Sequence, residues 1–259
     1  MAKIVFIGSG NLATNLAPEL VAIGHEVVQV YSRTFENAEK LAVKVGAEAV
    51  SDPKKVSDLV DWYIIALSDK AIDEVLSRIT IHPSALLVHT AGSQPIDILA
   101  PYAERRGVFY PLQTFSKSRK VDFSRIPFCI EAAAEQDAKF LFEEAAKISS
   151  SVQYINSVQR RHLHLAAVFA CNFVNHFYAL AELICKANNV SFDLIRPLIE
   201  ETAVKAMKFS PMQVQTGPAV RFDRNIIDKH LGMLENSPVM HELYFKVSES
   251  IYKLYQDKQ

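Results

Sequence analysis

Gly8-Ser9-Gly10-Asn11-Leu12-Ala13 stands directly behind the apolar run Ile4 to Ile7, an arrangement suited to holding a pyrophosphate. Gly8 permits a tight turn, Gly10 lets the backbone approach phosphate oxygens, and Ala13 is small enough for the following helix to pack on the strand. The free N–H groups at that helix start then face the anion. The spacing alone is a weak signal; its place after a strand and before an amphipathic segment points to a dinucleotide. The alternative is an α/β turn with no ligand.

A second set closes the run Glu26 to Tyr31, where Ser32-Arg33-Thr34 takes the place at which an NAD-binding unit carries an acidic residue for the ribose 2′-hydroxyl. These three are phosphate ligands, and Arg33 can pair with a 2′-phosphate, so NADP is expected over NAD. The alternative is a solvated loop arginine. Leu67-Ser68 and Thr90 follow further apolar runs and are expected beside the cofactor, because open α/β sheets bind ligands at the carboxyl ends of their strands. Ser68 also suits a helix cap with Asp69. His89, Thr90, Ser93, Gln113 and Thr114 are polar candidates for the nicotinamide end, each equally explicable as a turn or cap residue.

Later in the chain the candidates lie on helices and one loop. In the long apolar segment Gln159 to Lys186, His164, Cys171 and Asn175 fall within about 20° of one direction, with Asn172 about 80° away. The stripe offers an imidazole and carboxamides to a substrate, or satisfies itself inside a core. Gln215-Thr216-Gly217-Pro218-Ala219-Val220-Arg221-Phe222-Asp223 joins a hydroxyl, a glycine backbone and an arginine that can hold a carboxylate. Alternatively Arg221 pairs with Asp223 or Glu235 and fixes the loop. His230 is a second acid-base candidate or a helix-face histidine.

The elements that must position these groups follow from composition and pattern. With 259 residues, 49% of them hydrophobic, the chain can bury a sizeable core in two domains. A net charge of -1, scattered along the chain, argues against nucleic acid. Cys129, Cys171 and Cys185 have no metal-ligand spacing, lie in apolar contexts and read as reduced core residues of a cytoplasmic protein. A strand at Lys3 leaves no place for a signal peptide, and Asn172, Asn175, His176 and Glu182 interrupt the long apolar segment against membrane insertion. Six of the eight glycines occur by Gly107 and none follows until Gly217, so composition shifts near Asn156. The expected fold is α/β: a mostly parallel sheet over residues 1–156, then an all-α domain over 157–259 for substrate and dimerisation. Gly24 should cap the first helix, Pro18 should kink it, and the long helix at Gln159 should be buried by its neighbours or by a second subunit.

On the glycine turn, His89-Thr90-Ala91-Gly92-Ser93, Pro111-Leu112-Gln113-Thr114-Phe115, His164 with Ala166 to Asn172, and Thr216-Gly217-Pro218 with Arg221 and Asp223, the chain resembles a known family. It is similar to the NADP oxidoreductase-like proteins that join a Rossmann domain to a C-terminal helical domain of unknown function. These are relatives of pyrroline-5-carboxylate reductase and the 6-phosphogluconate dehydrogenase-like group. The resemblance implies NADP, a site in the cleft between domains and a homodimer built through the helical domain; it supplies no substrate. Many members carry histidine before the proline of the Pro111 stretch, whereas this chain has Tyr110. Relatives that oxidise β-hydroxyacids use a lysine on the first helix of the second domain, and none occurs here between Lys147 and Lys186. Carbonyl reduction then needs a proton from His164 or from a water held by Asn172 or Asn175, while a cyclic iminium arrives already protonated. The expected activity is hydride transfer from NADPH to a small anionic imine or oxo acid. The competing readings are a non-catalytic NADP-binding sensor or partner-binding protein, and hydride exchange between NADP and a flavin or deazaflavin carrier.

Overall fold

The structure, a computed structural model, describes residues 1–256. By compactness the chain divides into Met1–Asn172 and Phe173–Gln259. In the first unit eight strands form one sheet: β1 (Lys3–Ile7), β2 (Glu26–Tyr31), β3 (Glu48–Val50), β4 (Trp62–Ile65), β5 (Leu86–His89), β6 (Arg106–Pro111), β7 (Phe128–Ala132) and β8 (Val152–Tyr154). Their order is β3-β2-β1-β4-β5-β6-β7-β8, and only the β6–β7 pair is antiparallel. The first six strands therefore have the doubly wound Rossmann order.

Central strands of such a sheet are covered on both faces, which is why Ile4–Ile7 and Trp62–Ile65 are continuous apolar runs, buried throughout. Alternation divides their side chains between two cores. On one face Phe6, Trp62, Phe109 and Phe128 pack with Leu16 and Leu20 of α1 (Asn11–Ala22), Leu41 of α2 (Phe35–Val45) and Leu141 of α4 (Glu135–Ala146). On the other, Val5, Ile7, Tyr63 and Ile65 meet Ile72 and Leu76 of α3 (Ile72–Leu76). Gly24, at φ +97°, donates its N–H to the Val21 carbonyl and closes α1 as expected. Ser68 does not act as the expected cap: its side chain makes no capping hydrogen bond, and Asp69–Ala71 forms a single 3-10 turn before α3.

Helix α5 (Ser157–Ala167) starts two residues earlier than its apolar periodicity suggests, because Asn156 and Gln159 form a capping box. The Asn156 Oδ1 accepts from the Gln159 N–H at 2.9 Å, and Gln159 Oε1 accepts from the Asn156 N–H at 3.1 Å. Residues Val168–Phe173 then wind as a π-helix before α6 (Val174–Ala187). A constant step of about 100° per residue does not hold through a π-helical stretch, so the expected single stripe from His164 through Cys171 to Asn175 is not preserved. Ser157–Ala187 is long and apolar enough to cross a bilayer by length and composition, and the chain itself buries none of its apolar window. The expected burial by neighbouring helices of the same chain is thus not met.

The second unit continues with α7 (Arg196–Lys208), the short turns α8 (Pro211–Val214) and α9 (Pro218–Arg221), α10 (Arg224–Met233) and α11 (Pro238–Gln256). Asp223 caps α10 by accepting from the Ile226 N–H. Phe222, at φ +50°, stacks its ring on Tyr252 of α11 at 4.6 Å.

A buried hydrogen bond from His25 to Glu144 fastens α4 to the edge of the first core. His25 accepts from the Ala2 N–H through Nδ1, which leaves Nε2–H to donate to Glu144 at 2.9 Å, and Lys147 donates to the same carboxylate at 2.8 Å. Burial pushes the Glu144 carboxyl up, but the hydrogen bonds from Lys147 and His25 outweigh it and leave the pKa below the ordinary value. A depressed carboxylate contributes stability above its unfolded pKa and loses it as pH falls through the folded value. Glu144→Ala is therefore expected to lower unfolding stability by about 2–3 kcal/mol at neutral pH. In urea titrations at stepped pH, the gap from wild type should close progressively below about pH 4.

Candidate active site

The order reverses between β1 and β4, which opens a crevice beyond the carboxyl ends of these strands. The glycine turn lies there. Gly8, at φ +114°, donates its N–H to the Tyr31 carbonyl at 2.8 Å, and a Cβ added to it would stand 2.3 Å from the Ala66 carbonyl oxygen. Glycine at this position is a requirement of the fold itself. Gly10 differs: a Cβ there would meet nothing nearer than the Ala66 oxygen at 3.9 Å. Its bare backbone faces open space. As N-cap of α1 it carries no capping side chain, and the first turn holds no acidic residue. The positive end of α1 is left uncompensated, which fits a bound pyrophosphate. Ala13 is buried, Ser9 is buried and Leu12 is half-buried, so these hold the turn while the N–H groups face outward.

The Asn11 side chain has another use. Its Nδ2 donates to the Phe115 carbonyl at 3.0 Å, and Asn15 Nδ2 donates to the Ser116 carbonyl at 3.1 Å, tying α1 to the loop after β6. At the end of β2, Arg33 and Thr34 are exposed and Ser32 is half-buried; Thr34 precedes α2 without using its hydroxyl as a cap. Leu67 and Ser68 follow β4 at the same edge of the sheet. Thr90 is committed locally, its hydroxyl donating to the Ile65 carbonyl at 3.0 Å.

Further along the strand ends, His89 of β5, Val108 of β6 and Glu131 of β7 form one register row, and Tyr110 is two residues on from Val108 on the same face. Helix α5 supplies the partners of this row. Arg160, fully buried, donates through Nη1 to Glu131 and through Nη2 to the Gln94 carbonyl at 2.5 Å. One turn later on the same helix face is His164. Tyr110 Oη and His164 Nδ1 are 3.4 Å apart, and a Cβ on Gly92 would stand 2.8 Å from that hydroxyl and 2.7 Å from that nitrogen. Only glycine lets the loop after β5 close over the pair.

Burial, with the nearby Cys129 thiol, pushes the Tyr110 phenol up to about 12 against the opposing pull of Arg160. The phenol stays protonated at neutral pH and is a donor. Where the phenol donates to Nδ1 the His164 proton stands on Nε2, and where Nδ1–H donates to the phenol oxygen it stands on Nδ1. His89 is pushed down to about 4 by burial and by the Arg160 guanidinium, so it is neutral. Its Nδ1 accepts from the Ala91 N–H at 3.1 Å, and its buried Nε2 has no hydrogen-bond partner among the described residues.

The other candidates lie elsewhere on the chain. Asn172 is exposed in the π-helical stretch and Asn175 is exposed on α6. Thr216 is exposed between α8 and α9, and Arg221, the last residue of α9, has no ion-pair partner among the described residues. His230 Nδ1 and Tyr244 Oη are 2.8 Å apart. Sequence reasoning assigned no role to Arg160 or Glu131, although the four-residue spacing of Arg160 and His164 on one helix was a usable signal. Among the described residues no group of three histidine, cysteine or acidic side chains could hold a metal ion.

The crevice, the bare Gly10 and the uncompensated helix end define a dinucleotide-dependent protein of Rossmann type, and comparison with known proteins makes this specific. The family described as NADP oxidoreductase, coenzyme F420-dependent, matches residues 3–92, and a domain of unknown function, DUF2520, matches residues 126–251. A Bacteroides fragilis protein with the provisional name NADP oxidoreductase shares 50% identity over 97% of this chain and 98% of its own, with a TM-score of 0.93. The chain belongs to this NADP oxidoreductase family, and its cofactor is NADP. The imine reductase of Streptomyces aurantiacus shares the fold at 14% identity, covering 98% of both chains with a TM-score of 0.67. The 1-pyrroline-5-carboxylate reductase of Streptococcus pyogenes shares it at 12% identity, 97% and 98% coverage and a TM-score of 0.63. No curated protein matches the chain in sequence.

The two glycines of the turn separate fold from ligand. Gly8→Ala is expected to lower the melting temperature markedly, through the clash with Ala66 and a left-handed conformation worth about 1–2 kcal/mol for a non-glycine residue. Gly10→Ala should melt within a few degrees of wild type yet lose about tenfold or more in NADPH affinity. A fluorescence titration with NADPH beside a thermal melt reads both.

Proposed function

We propose that the protein transfers a hydride from NADPH to a small anionic imine or oxo acid, with His164 beside the reacting carbon and Tyr110 holding its ring. The observation that carries this reading is the Tyr110–His164 contact at 3.4 Å over Gly92, at the carboxyl end of β6. NADPH supplies the hydride when bound. The chain's own work is to orient and to hold protons. A phenol pushed up to about 12 does not surrender its proton at neutral pH, so Tyr110 acts by fixing the His164 tautomer. Where the phenol donates to Nδ1, His164 Nε2–H is the donor available to a developing alkoxide or amine. No lysine occurs between Lys147 and Lys186 to share that task. An imine that arrives protonated asks least of such a site, and the names of the imine and pyrroline-5-carboxylate reductase neighbours agree with that class.

For the substrate's carboxylate we retain Arg221 and Thr216 on chemical grounds, with Asn172 and Asn175 as holders of water. We further propose a cytoplasmic homodimer through the helical unit. Phe177, Leu183, Ile184 and Leu198 leave more apolar surface exposed there than a lone helical unit keeps in water. The family description of residues 3–92 favours one second reading, hydride exchange with a deazaflavin. That match ends at Gly92, before Tyr110 and His164, and so bears on the NADP half.

Steady-state assays of wild type and His164→Ala on cyclic imines, 2-oxo acids and a deazaflavin test the assignment. His164→Ala should cut turnover of a 2-oxo acid about a hundredfold and of a cyclic imine that arrives protonated far less, with NADPH affinity within twofold of wild type. Undiminished turnover of the 2-oxo acid in the variant sinks the role of His164. Tight NADPH binding with no turnover on any acceptor leaves the sensor reading instead.

A further inference from the structure

The adenosine end of the crevice carries charges that Ser32-Arg33-Thr34 alone does not include. Glu74 of α3 lies between two guanidiniums: its Oε2 is 3.7 Å from Arg33 Nη1, and its Oε1 is 3.9 Å from Arg78 Nη2. Arg33 leaves the end of β2, while Arg78 follows α3 and reaches the same place from a different segment. The arginine side chains are each 63% exposed and the carboxylate 50%, so Glu74 is a loosely held counter-ion. Exposed pairs of this length contribute little to stability. Their convergence therefore needs another reason.

Tyr31, the last residue of β2, marks the point of convergence. Burial raises its hydroxyl pKa most, Arg33 and Arg78 pull it down, and Glu74 and Asp52 push it up. Beside it the Thr34 hydroxyl is not used as a cap, although the Thr34 carbonyl accepts from the Asn37 N–H in the first turn of α2. A carboxylate bridged by two guanidiniums occupies the position of an anion, and a phosphate fills such a position better. It carries more charge, and its three oxygens match two planar guanidinium forks. A carboxylate brings one charge and two oxygens.

We propose that Arg78 is a second ligand of the adenosine 2′-phosphate of NADP, and that Glu74 holds Arg33 and Arg78 in position until that phosphate displaces its carboxylate. This rests on the reading of Arg33 as the first ligand. Glu74 then has two opposed effects, since it orders the guanidiniums before binding and repels the phosphate dianion as it arrives. At distances near 4 Å between exposed groups, the repulsion of a dianion outweighs the ordering of two side chains, and salt weakens it.

All three side chains are exposed, so their variants should fold, and a thermal melt confirms it. The probes are NADPH, NADH, adenosine 2′,5′-bisphosphate and AMP, titrated against wild type, Arg33→Ala, Arg78→Ala, Arg78→Lys and Glu74→Gln at low and high salt. Arg78→Ala should weaken NADPH and the bisphosphate about tenfold while leaving NADH and AMP within twofold. Arg78→Lys should fall between. Glu74→Gln should tighten NADPH severalfold at low salt, with the gain shrinking as salt rises. If Arg78→Ala leaves the ratio of NADPH to NADH affinity unchanged while Arg33→Ala collapses it, this inference fails and the reading of Arg33 stands. If Arg33→Ala also leaves the ratio unchanged, the reading of Arg33 fails with it. Weaker NADPH binding by Glu74→Gln overturns the displacement.

Discussion

A charge placed where no water reaches governs the geometry of the first unit. Arg160 is fully buried, and a guanidinium there must be answered by acceptors arranged around it. Glu131 of β7 answers Nη1, and the Gln94 carbonyl and Ser157 hydroxyl answer Nη2 at 2.5 and 3.2 Å. Ser157 in turn donates to Glu131 at 2.8 Å and accepts from the Ile96 N–H at 3.0 Å. Three segments distant in sequence are thereby fixed to one point: the loop after β5, strand β7 and the start of α5. Breaking such a network by removing one member leaves an uncompensated buried charge, a penalty of about 3–5 kcal/mol. What the network secures is position more than net stability. Pinning the first turn of α5 sets the helix face on which His164, one turn after Arg160, meets Tyr110.

The same guanidinium sets the protonation of its surroundings. It reinforces burial in keeping His89 neutral, and it opposes burial at the Tyr110 phenol without overcoming it. His89 and the Tyr110 phenol are consequently neutral at the ends of β5 and β6, and Gly92 leaves no slack beside Tyr110 and His164. At the end of β2 the charges are full, exposed and held by contacts near 4 Å. One part of the crevice is geometrically fixed, its buried guanidinium already paired with Glu131. The other is electrostatically strong and free to rearrange around an anion.

How much of this could be read from the sequence depends on whether the determining contacts are local. The turn from β1 into α1 was legible because strand, glycines and helix are contiguous. The Asp223 cap was legible for the same reason. Arg160 was not, since Arg161 beside it has the same chemistry and is exposed; only the register of α5 over β7 decides which of them is buried. The approach of Tyr110 to His164 spans 54 positions and depends on β6, α5 and the Gly92 loop together. The π-helical stretch at Val168–Phe173 escaped because a hydrophobic pattern is read with an assumed period. Thr90 was correctly placed at a strand end, yet its hydroxyl turns back to Ile65, a choice made by the neighbouring strand.

One contact joins the two parts of the crevice. Asn11, within the phosphate-facing turn, gives its side chain to the Phe115 carbonyl instead of to its own helix, while Asn15 donates both to the Ser116 carbonyl and to the Asn11 carbonyl of its own helix. The loop they hold begins four residues before Phe115, at the Pro111 end of β6, immediately after Tyr110. Phe115 is anchored from beneath by stacking on Phe123 at 5.6 Å. A side chain that capped α1 would have masked the N–H groups that face the pyrophosphate. Sending it across to the β6 loop leaves those groups open and makes the start of α1 and the backbone beyond Tyr110 a single mechanical element. Any displacement of the phosphate-facing turn must therefore be shared by the segment that follows the Tyr110–His164 pair.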